Sequence, residues 1–332
     1  MGASIYKTDV YLPDAILTNE MLAQEFEEWN SEKVEKRTGI RERHVSGDDE
    51  TALDLAEQAA RRVLKGEDLK RVDFVLYCTQ SPEYYLPTGA CILQDRLGLR
   101  TDIGALDISL GCSGFIYGLA LAKSFIAAGT ARRVLLLTSD VMTKQVHPRD
   151  RANRTLFGDG AAATLIDQTE TEGILDFSLG TDGSGFQNLI VPNGGLRHRY
   201  DPDAPDLDDG FGGIRSDNFL YMNGPEIFNF TIDAVPGVVA GVLQKNQMDP
   251  EDLDYVIFHQ ANKYIVDYLR KKIGFPKEKF YVNLLHTGNT VSATIPIGLN
   301  DVLEQGIVKP GNRVLVSGFG VGFSWGATIL RI

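Results

Sequence analysis

The sequence predicts an α/β protein built from two related halves. Three observations carry that reading. Short apolar runs alternate with longer helix-like stretches, the pattern of strands joined by crossover helices. The runs of the second half repeat those of the first in the same order. One helical stretch, "CSGFIYGLALAKSFIAAG" (112–129), is apolar on nearly every face, with Lys123 and Ser124 as its strongly polar residues. A helix of that kind belongs in the middle of a protein.

The repeated elements are four. "RVDFVLYCTQ" (71–80) and "DLDYVIFHQA" (252–261) read as equivalent strands, with Val72-Asp73-Phe74-Val75 in register with Leu253-Asp254-Tyr255-Val256 and Cys78 opposite His259. The central stretch 112–129 parallels "NTVSATIPIGLNDVLEQG" (289–306), and both end at a glycine, which sets Cys112 opposite Asn289. "GTARRVLLLTSD" (129–140) resembles "KPGNRVLVSGFG" (309–320), and "FGDGAAATLI" (157–166) resembles "FGVGFSWGATIL" (319–330). One such match arises easily by chance; four in the same order do not. The halves run from 1 to 167 and from 172 to 332. Packed about a pseudo-two-fold axis, their equivalent loops meet at the centre, and Cys112 of one half faces His259 and Asn289 of the other.

Bulk properties narrow the function. A chain of 332 residues with 43% apolar residues can bury a large core. Its apolar runs read as shorter than a membrane span, and "MGASIYKTDVYLP" has neither a signal core nor, with Tyr6, a myristoylation pattern. Three cysteines build no disulfide framework, and their spacing matches no zinc motif. A reduced, cytoplasmic protein is expected. A net charge of −12 argues against non-specific nucleic-acid binding.

The chemistry centres on Cys112. A thiol where a strand turns into a helix lies beside unpaired N–H groups and the positive end of the helix dipole, both of which favour thiolate. Gly111 and Gly114 allow a tight turn and close approach of a substrate. Free N–H groups there can hold a developing oxyanion, so the turn suits a nucleophile that takes an acyl group from a thioester. A lone cysteine is more often a small buried hydrophobe. That reading fits Cys78, inside a strand, and Cys91, on a helix face. His259 follows directly after a strand and, taken alone, reads equally as a hydrogen-bonded core histidine. Asn289 beside Gly288 reads equally as a turn residue. Their symmetry relation to Cys78 and Cys112 favours the functional reading. His286 remains an alternative base.

"GCSGFIYGL", "FGDGAAA", "HQAN", "HTGNTVSATIP", "FGVGFSWGA" and "RTGIRERHV" (37–45) resemble the signature segments of the β-ketoacyl-acyl-carrier-protein synthase III family, in the thiolase superfamily, over Val10 to Ile332. The resemblance implies a five-layered αβαβα thiolase fold and a homodimer. It implies Cys112 as acyl-accepting nucleophile, with His259 and Asn289 as the pair that supports decarboxylation of a malonyl thioester. The oxyanion of the condensation step would be held by the backbone N–H of Cys112 and one from the loop at Gly320 and Val321. Substrates would be acyl-CoA and acyl-carrier-protein thioesters, with no metal or redox cofactor, no membrane and no nucleic acid. Arg37, Thr38 and Arg151 match positions around the pantetheine and nucleotide, and Lys263 lies near the expected mouth, with Arg270, Lys271 and Lys272 beyond it. Leu86 matches a residue that lines the acyl pocket of the partner subunit.

Three departures stand out. Lys33 replaces a tryptophan that often stacks on adenine, Tyr264 replaces a basic residue at the mouth, and the Asp-rich segment 193–219 is longer than usual. The first two changes weaken the expected hold on CoA and favour the carrier protein. The segment reads as a solvated loop, a lid or a specificity element. Alternatives to condensation are acyl transfer to an oxygen or nitrogen nucleophile, and a non-catalytic partner subunit.

Overall fold

The apolar runs form two five-stranded sheets. A computed structural model of the chain describes residues 1–26, 29–210 and 212–332. The first sheet holds β1 (Gly2–Tyr11), β2 (Phe74–Cys78), β3 (Gly104–Ile108), β4 (Arg133–Asp140) and β5 (Gly160–Thr169), in the order β1-β5-β4-β2-β3. The second holds β6 (Ile174–Thr181), β7 (Tyr255–Phe258), β8 (Phe280–Tyr281), β9 (Arg313–Gly320) and β10 (Ser324–Arg331), in the order β6-β10-β9-β7-β8. The two orders are the same. So are the strand senses: β1-β5-β4 and β6-β10-β9 pair antiparallel, while β4-β2-β3 and β9-β7-β8 pair parallel. Even the ladders agree, because Phe74 pairs with Val134 where Tyr255 pairs with Val314.

Among the described residues, seven α-helices have eight residues or more: α1 (Ser31–Thr38), α2 (Ala52–Val63), α3 (Gly89–Arg96), α4 (Gly114–Ala127), α5 (Gly224–Lys245), α6 (Lys263–Ile273) and α7 (Thr294–Glu304). Side chains alternate across each strand, so every sheet can bury both faces. In β2, Val75 and Tyr77 point outward onto Leu53, Ala56 and Val63 of α2 and Leu93 of α3. Leu76 and Cys78 point inward, where Phe115, Ile116 and Leu119 of α4 and Ile295 and Leu299 of α7 fill the space up to Ile257, Val314 and Val316 of the second sheet. Val235, Val239 and Val242 of α5 and Val266 and Leu269 of α6 cover its far face. The result is the five-layered αβαβα arrangement that the resemblance implies, with α4 in the centre as its all-round apolar pattern predicts.

Three expectations need correction. Cys91 is exposed on α3, where its sulfur accepts a hydrogen bond from the Thr88 hydroxyl at 3.1 Å; only Cys78 is the buried strand residue expected. Helix α5 is long and apolar enough, by length and composition, to cross a bilayer. Its apolar stripe instead packs on the second sheet. The segment 193–219, in which Phe211 lies outside the described residues, is more than a solvated loop. It carries a short hairpin, Leu207–Asp208 against Ile214–Arg215, and it is tied to the chain before Arg151. Asp206 pairs with Arg149 and accepts from His147 Nε2 at 3.2 Å, and the Ile214 N–H donates to the Arg149 carbonyl at 3.0 Å.

Candidate active site

Cys112 sits in the turn between β3 and α4, two residues before the helix begins, and is buried. Cys78 supports this turn from behind, donating its S–H to the Leu110 carbonyl at 3.1 Å. The flanking glycines are required by close packing. A Cβ on Gly114 would lie 2.2 Å from the Cys78 sulfur, and one on Gly111 would lie 2.4 Å from Gln80 Oε1. Across the molecular centre, β9 presses on the same turn. A Cβ on Gly318 would lie 2.6 Å from the Cys112 carbonyl oxygen, and one on Gly320 would lie 2.9 Å from Cys112 Sγ. Two glycines therefore let a strand of the second half touch the cysteine of the first.

The end of β9 also positions the histidine. The His259 N–H donates to the Ser317 carbonyl at 2.8 Å, and the ring meets Phe319 edge-on at 5.6 Å. His259 is 2% exposed, and its Nδ1 lies 2.7 Å from the Thr294 hydroxyl. Asn289 is buried just before α7. Its Oδ1 accepts from the Val291 N–H at 2.9 Å, which orients the amide and leaves Nδ2 as a donor. Its backbone pairs with the segment at Phe157, the Asn289 N–H donating to the Leu156 carbonyl at 2.9 Å. Val291 and Phe157 share an apolar cluster with Cys112, Met142, Val146 and Leu220. The structure thus brings together the segments that carry Cys112, His259 and Asn289. It does not bring His286 there: that side chain is exposed and bonds to Glu42 at 2.8 Å.

Electrostatics change the expected state of the thiol. Burial, and then the Asp140 carboxylate, push the Cys112 thiol up to about 12, against opposing hydrogen bonds from the N–H groups of Cys112 and Val321. Desolvation thus opposes the helix terminus and holds the proton on the thiol. Those two N–H groups are the pair expected for the oxyanion, with Val321 as the donor and Gly320 supplying the room. A hydroxyl chain holds their loop: Ser113 and Ser324 Oγ are 2.6 Å apart, and Ser324 donates to the Val321 carbonyl at 2.9 Å. Burial pushes His259 down to about 3, so its imidazole is neutral.

Asp140 is a residue that sequence reasoning missed. It ends β4, accepts from Gln80 N–H at 2.8 Å and from Ser292 Oγ at 2.5 Å, and so joins the Cys112 side of the site to the Asn289 side. A carboxylate ending the strand that carries the apolar run Val134–Leu137 is the signal that could have found it. Burial raises it to about 7. Linkage then gives two opposed effects. His259 is held down from 6.5, so the unfolded chain binds the extra proton as pH falls below that value, and stability is lost toward acid. Asp140 is held up from 3.8, so the native state keeps the extra proton above that value, and stability is lost as pH rises toward 7. Between pH 3.8 and 6.5 the two slopes oppose. Asp140→Asn is therefore expected to make stability rise more steeply with pH in that window than in the wild type, read as denaturant midpoint against pH. An unchanged slope would show that Asp140 does not titrate there.

The expected carrier residues separate into two groups. Thr38 ends α1, and Gly39 abuts Lys263 so closely that a Cβ would lie 2.4 Å from the Lys263 Cβ. Arg37, Thr38 and the start of α6 are thereby brought together, with Arg37 and Lys263 exposed. Arg151 instead lies over the Phe26 ring at 5.3 Å, and Phe26 packs on Trp29 with centroids 4.6 Å apart. An aromatic pair thus stands beside Arg151 although Lys33 does not supply one. Two of the basic residues on α6 are engaged locally: Arg270 donates to the Phe275 carbonyl and Lys272 to the Ile232 carbonyl. Tyr264 packs on Phe228. Tyr84, Tyr85 and Leu86 project from the chain, Leu86 with 82% of its surface exposed.

A duplicated five-layer fold whose two halves contribute a cysteine, a histidine and an asparagine to one buried centre defines the thiolase-like condensing class. Comparison with known proteins narrows it. Family models for 3-oxoacyl-acyl-carrier-protein (ACP) synthase III match residues 106–183, and for the C terminal part of that family residues 243–332. The β-ketoacyl-acyl-carrier-protein synthase III of Clostridium perfringens is 37% identical over 97% of each chain. A crystal structure of a 3-oxoacyl-(acyl-carrier-protein) synthase III is 44% identical, with a TM-score of 0.98 and both chains fully covered. The 3-oxoacyl-(acyl-carrier protein) synthase of Burkholderia xenovorans is 35% identical, with a TM-score of 0.93 over all of this chain and 94% of the other. The chain belongs to the 3-oxoacyl-acyl-carrier-protein synthase III family.

Proposed function

We propose that the chain catalyses a decarboxylating Claisen condensation, joining an acyl group carried on Cys112 to a malonyl thioester to give a 3-oxoacyl thioester. The observation that carries this is the meeting of two neutral buried donors, His259 and Asn289, with the nucleophile at the end of β9. In the first half-reaction Cys112 Sγ attacks the acyl thioester, the N–H groups of Cys112 and Val321 donate to the oxyanion, and the thiol proton leaves with the departing thiol. In the second, the malonyl C–C bond breaks, CO2 leaves, and the electron pair enters the thioester. His259 Nε2–H and the Asn289 amide donate to the enolate oxygen. The α-carbon then attacks the Cys112 acyl carbon, the 3-oxoacyl thioester forms, and Cys112 departs as a thiolate that takes a proton from water. The balance needs no metal and no redox partner.

Acyl transfer to an oxygen or nitrogen nucleophile would instead call for a base. A histidine held down to about 3 is poorly matched to that task at neutral pH. The deciding experiment incubates the purified chain with acyl and malonyl thioesters and measures CO2 and 3-oxoacyl product. Acyl adduct without CO2 would favour simple transfer, and inactivity with all donors would favour a non-catalytic subunit.

The carrier is assigned to the face where the end of α1, with Arg37, abuts the start of α6, with Lys263, and acyl-CoA and acyl carrier protein are the donors. The exposed Tyr84-Tyr85-Leu86 tip supports a homodimer in which Leu86 enters the partner's acyl pocket. Leu86→Trp is then expected to shift the preferred primer toward shorter chains by filling that pocket, with malonyl decarboxylation retained. Rates across an acyl-chain series check this, and an unchanged preference would remove Leu86 from the pocket.

A further inference from the structure

The neutral His259 ring carries one proton, and which nitrogen holds it decides what the site can do. With the proton on Nε2 the ring donates to an enolate. With the proton on Nδ1 it presents a lone pair to the same oxygen and repels it. The ring nitrogen held by the protein is Nδ1, and its partner is a single hydroxyl: Thr294 Oγ1, 2.7 Å away. Both residues are buried, at 2% and 3% exposure, so water does not easily substitute for either.

A threonine hydroxyl has one proton and two acceptors in reach here: His259 Nδ1 at 2.7 Å and the Val291 carbonyl at 3.2 Å. Donation to Val291 would leave Oγ1 to accept, and would force the ring proton onto Nδ1. Donation to His259 forces it onto Nε2. The shorter contact favours the second arrangement. We propose that Thr294 is a positioning residue for the condensation, donating its hydroxyl proton to His259 Nδ1 and thereby fixing the Nε2–H tautomer that faces the malonyl thioester. The proposal rests on the condensation reading above. It also explains why the start of α7 matters twice, since the segment that orients Asn289 through Val291 also carries Thr294.

The test pairs spectroscopy with kinetics on the full chain. Nitrogen-15 NMR of protein labelled at histidine, with the His259 signals assigned by difference from His259→Ala, is expected to show Nε2 protonated in the wild type. Thr294→Val, close in shape but without the hydroxyl, is expected to show a mixture of tautomers. It should slow malonyl decarboxylation on the order of tenfold, less than outright loss of the donor, and more than it slows acylation of Cys112. Thr294→Ser is expected to restore both the tautomer and the rate. A wild-type signal with Nδ1 protonated would overturn the proposal, as would wild-type tautomer and decarboxylation rate in Thr294→Val. If that variant does not fold, the wild-type spectrum and the serine variant still decide. Should the chain release no CO2 from any malonyl thioester, the condensation reading falls, while the spectra still report on the Thr294 bond separately.

Discussion

His259→Ala is expected to slow decarboxylation of a malonyl thioester on the order of 10²–10³, the usual cost of losing one preorganised donor to a developing oxyanion. Asn289→Ala is expected to cost about the same, whereas acylation of Cys112 should fall much less in both. The asymmetry follows from where the donors sit. In the proposed mechanism the acylation oxyanion is held by the backbone N–H groups of Cys112 and Val321, which now bond to the thiol and which neither substitution removes. The enolate oxygen has only side-chain donors in this assignment, and each is fixed in advance: His259 through Thr294, Asn289 through the Val291 N–H on its Oδ1. No reorganisation is needed when charge develops. Asn289→Asp sharpens the point, since it keeps the Val291 bond but replaces the donor with a second acceptor. It should be at least as damaging as alanine. Single-turnover acylation by mass spectrometry and CO2 release measured separately would decide. Equal loss of both steps in Asn289→Ala would make Asn289 a support of the loop rather than a donor.

The assembly of Cys112, His259 and Asn289 was legible in the sequence because duplication is a geometric statement. Once Cys78 falls opposite His259 and Cys112 opposite Asn289, a two-fold arrangement forces their loops to the centre. The structure adds the ladder registers that make those matches physical. What escaped lies where the halves differ. Asp140 occupies the place that Gly320 takes in the other half; the carboxylate is visible in the sequence, but its partner Ser292 is 152 positions away. The thiol's state escaped for a related reason. A helix start can be read locally, whereas the burial that opposes it comes from residues distant in sequence, among them Met142, Phe157 and Val291, with Gly318 and Gly320 close against the turn. The same blindness placed Cys91 in the core and left segment 193–219 without its ties to the rest of the chain. Both depend on what packs alongside, and Asp206 finds His147 and Arg149 only after the fold forms.

Cys112→Ser is expected to abolish the covalent acyl adduct altogether. A hydroxyl in the same turn keeps the N–H groups but lacks the nucleophilicity and leaving ability of sulfur, both of which the two half-reactions require. Exposing the protein to a panel of acyl thioesters and weighing the intact chain gives the answer directly. An adduct at unchanged level in the serine variant, or one that maps to Cys91, would remove Cys112 from the role. Cys78 is not a competitor, since it is fully buried and its S–H is spent on the Leu110 carbonyl. The resting thiol is itself testable. Because burial and Asp140 hold Cys112 near 12, little thiolate exists at neutral pH before substrate arrives. Iodoacetamide should therefore label the exposed Cys91 ahead of Cys112 in the absence of an acyl donor. Preferential labelling of Cys112 would mean that the helix terminus wins over burial after all. The nucleophile would then be ionised at rest, and the thiol proton would already be gone when the acyl thioester binds.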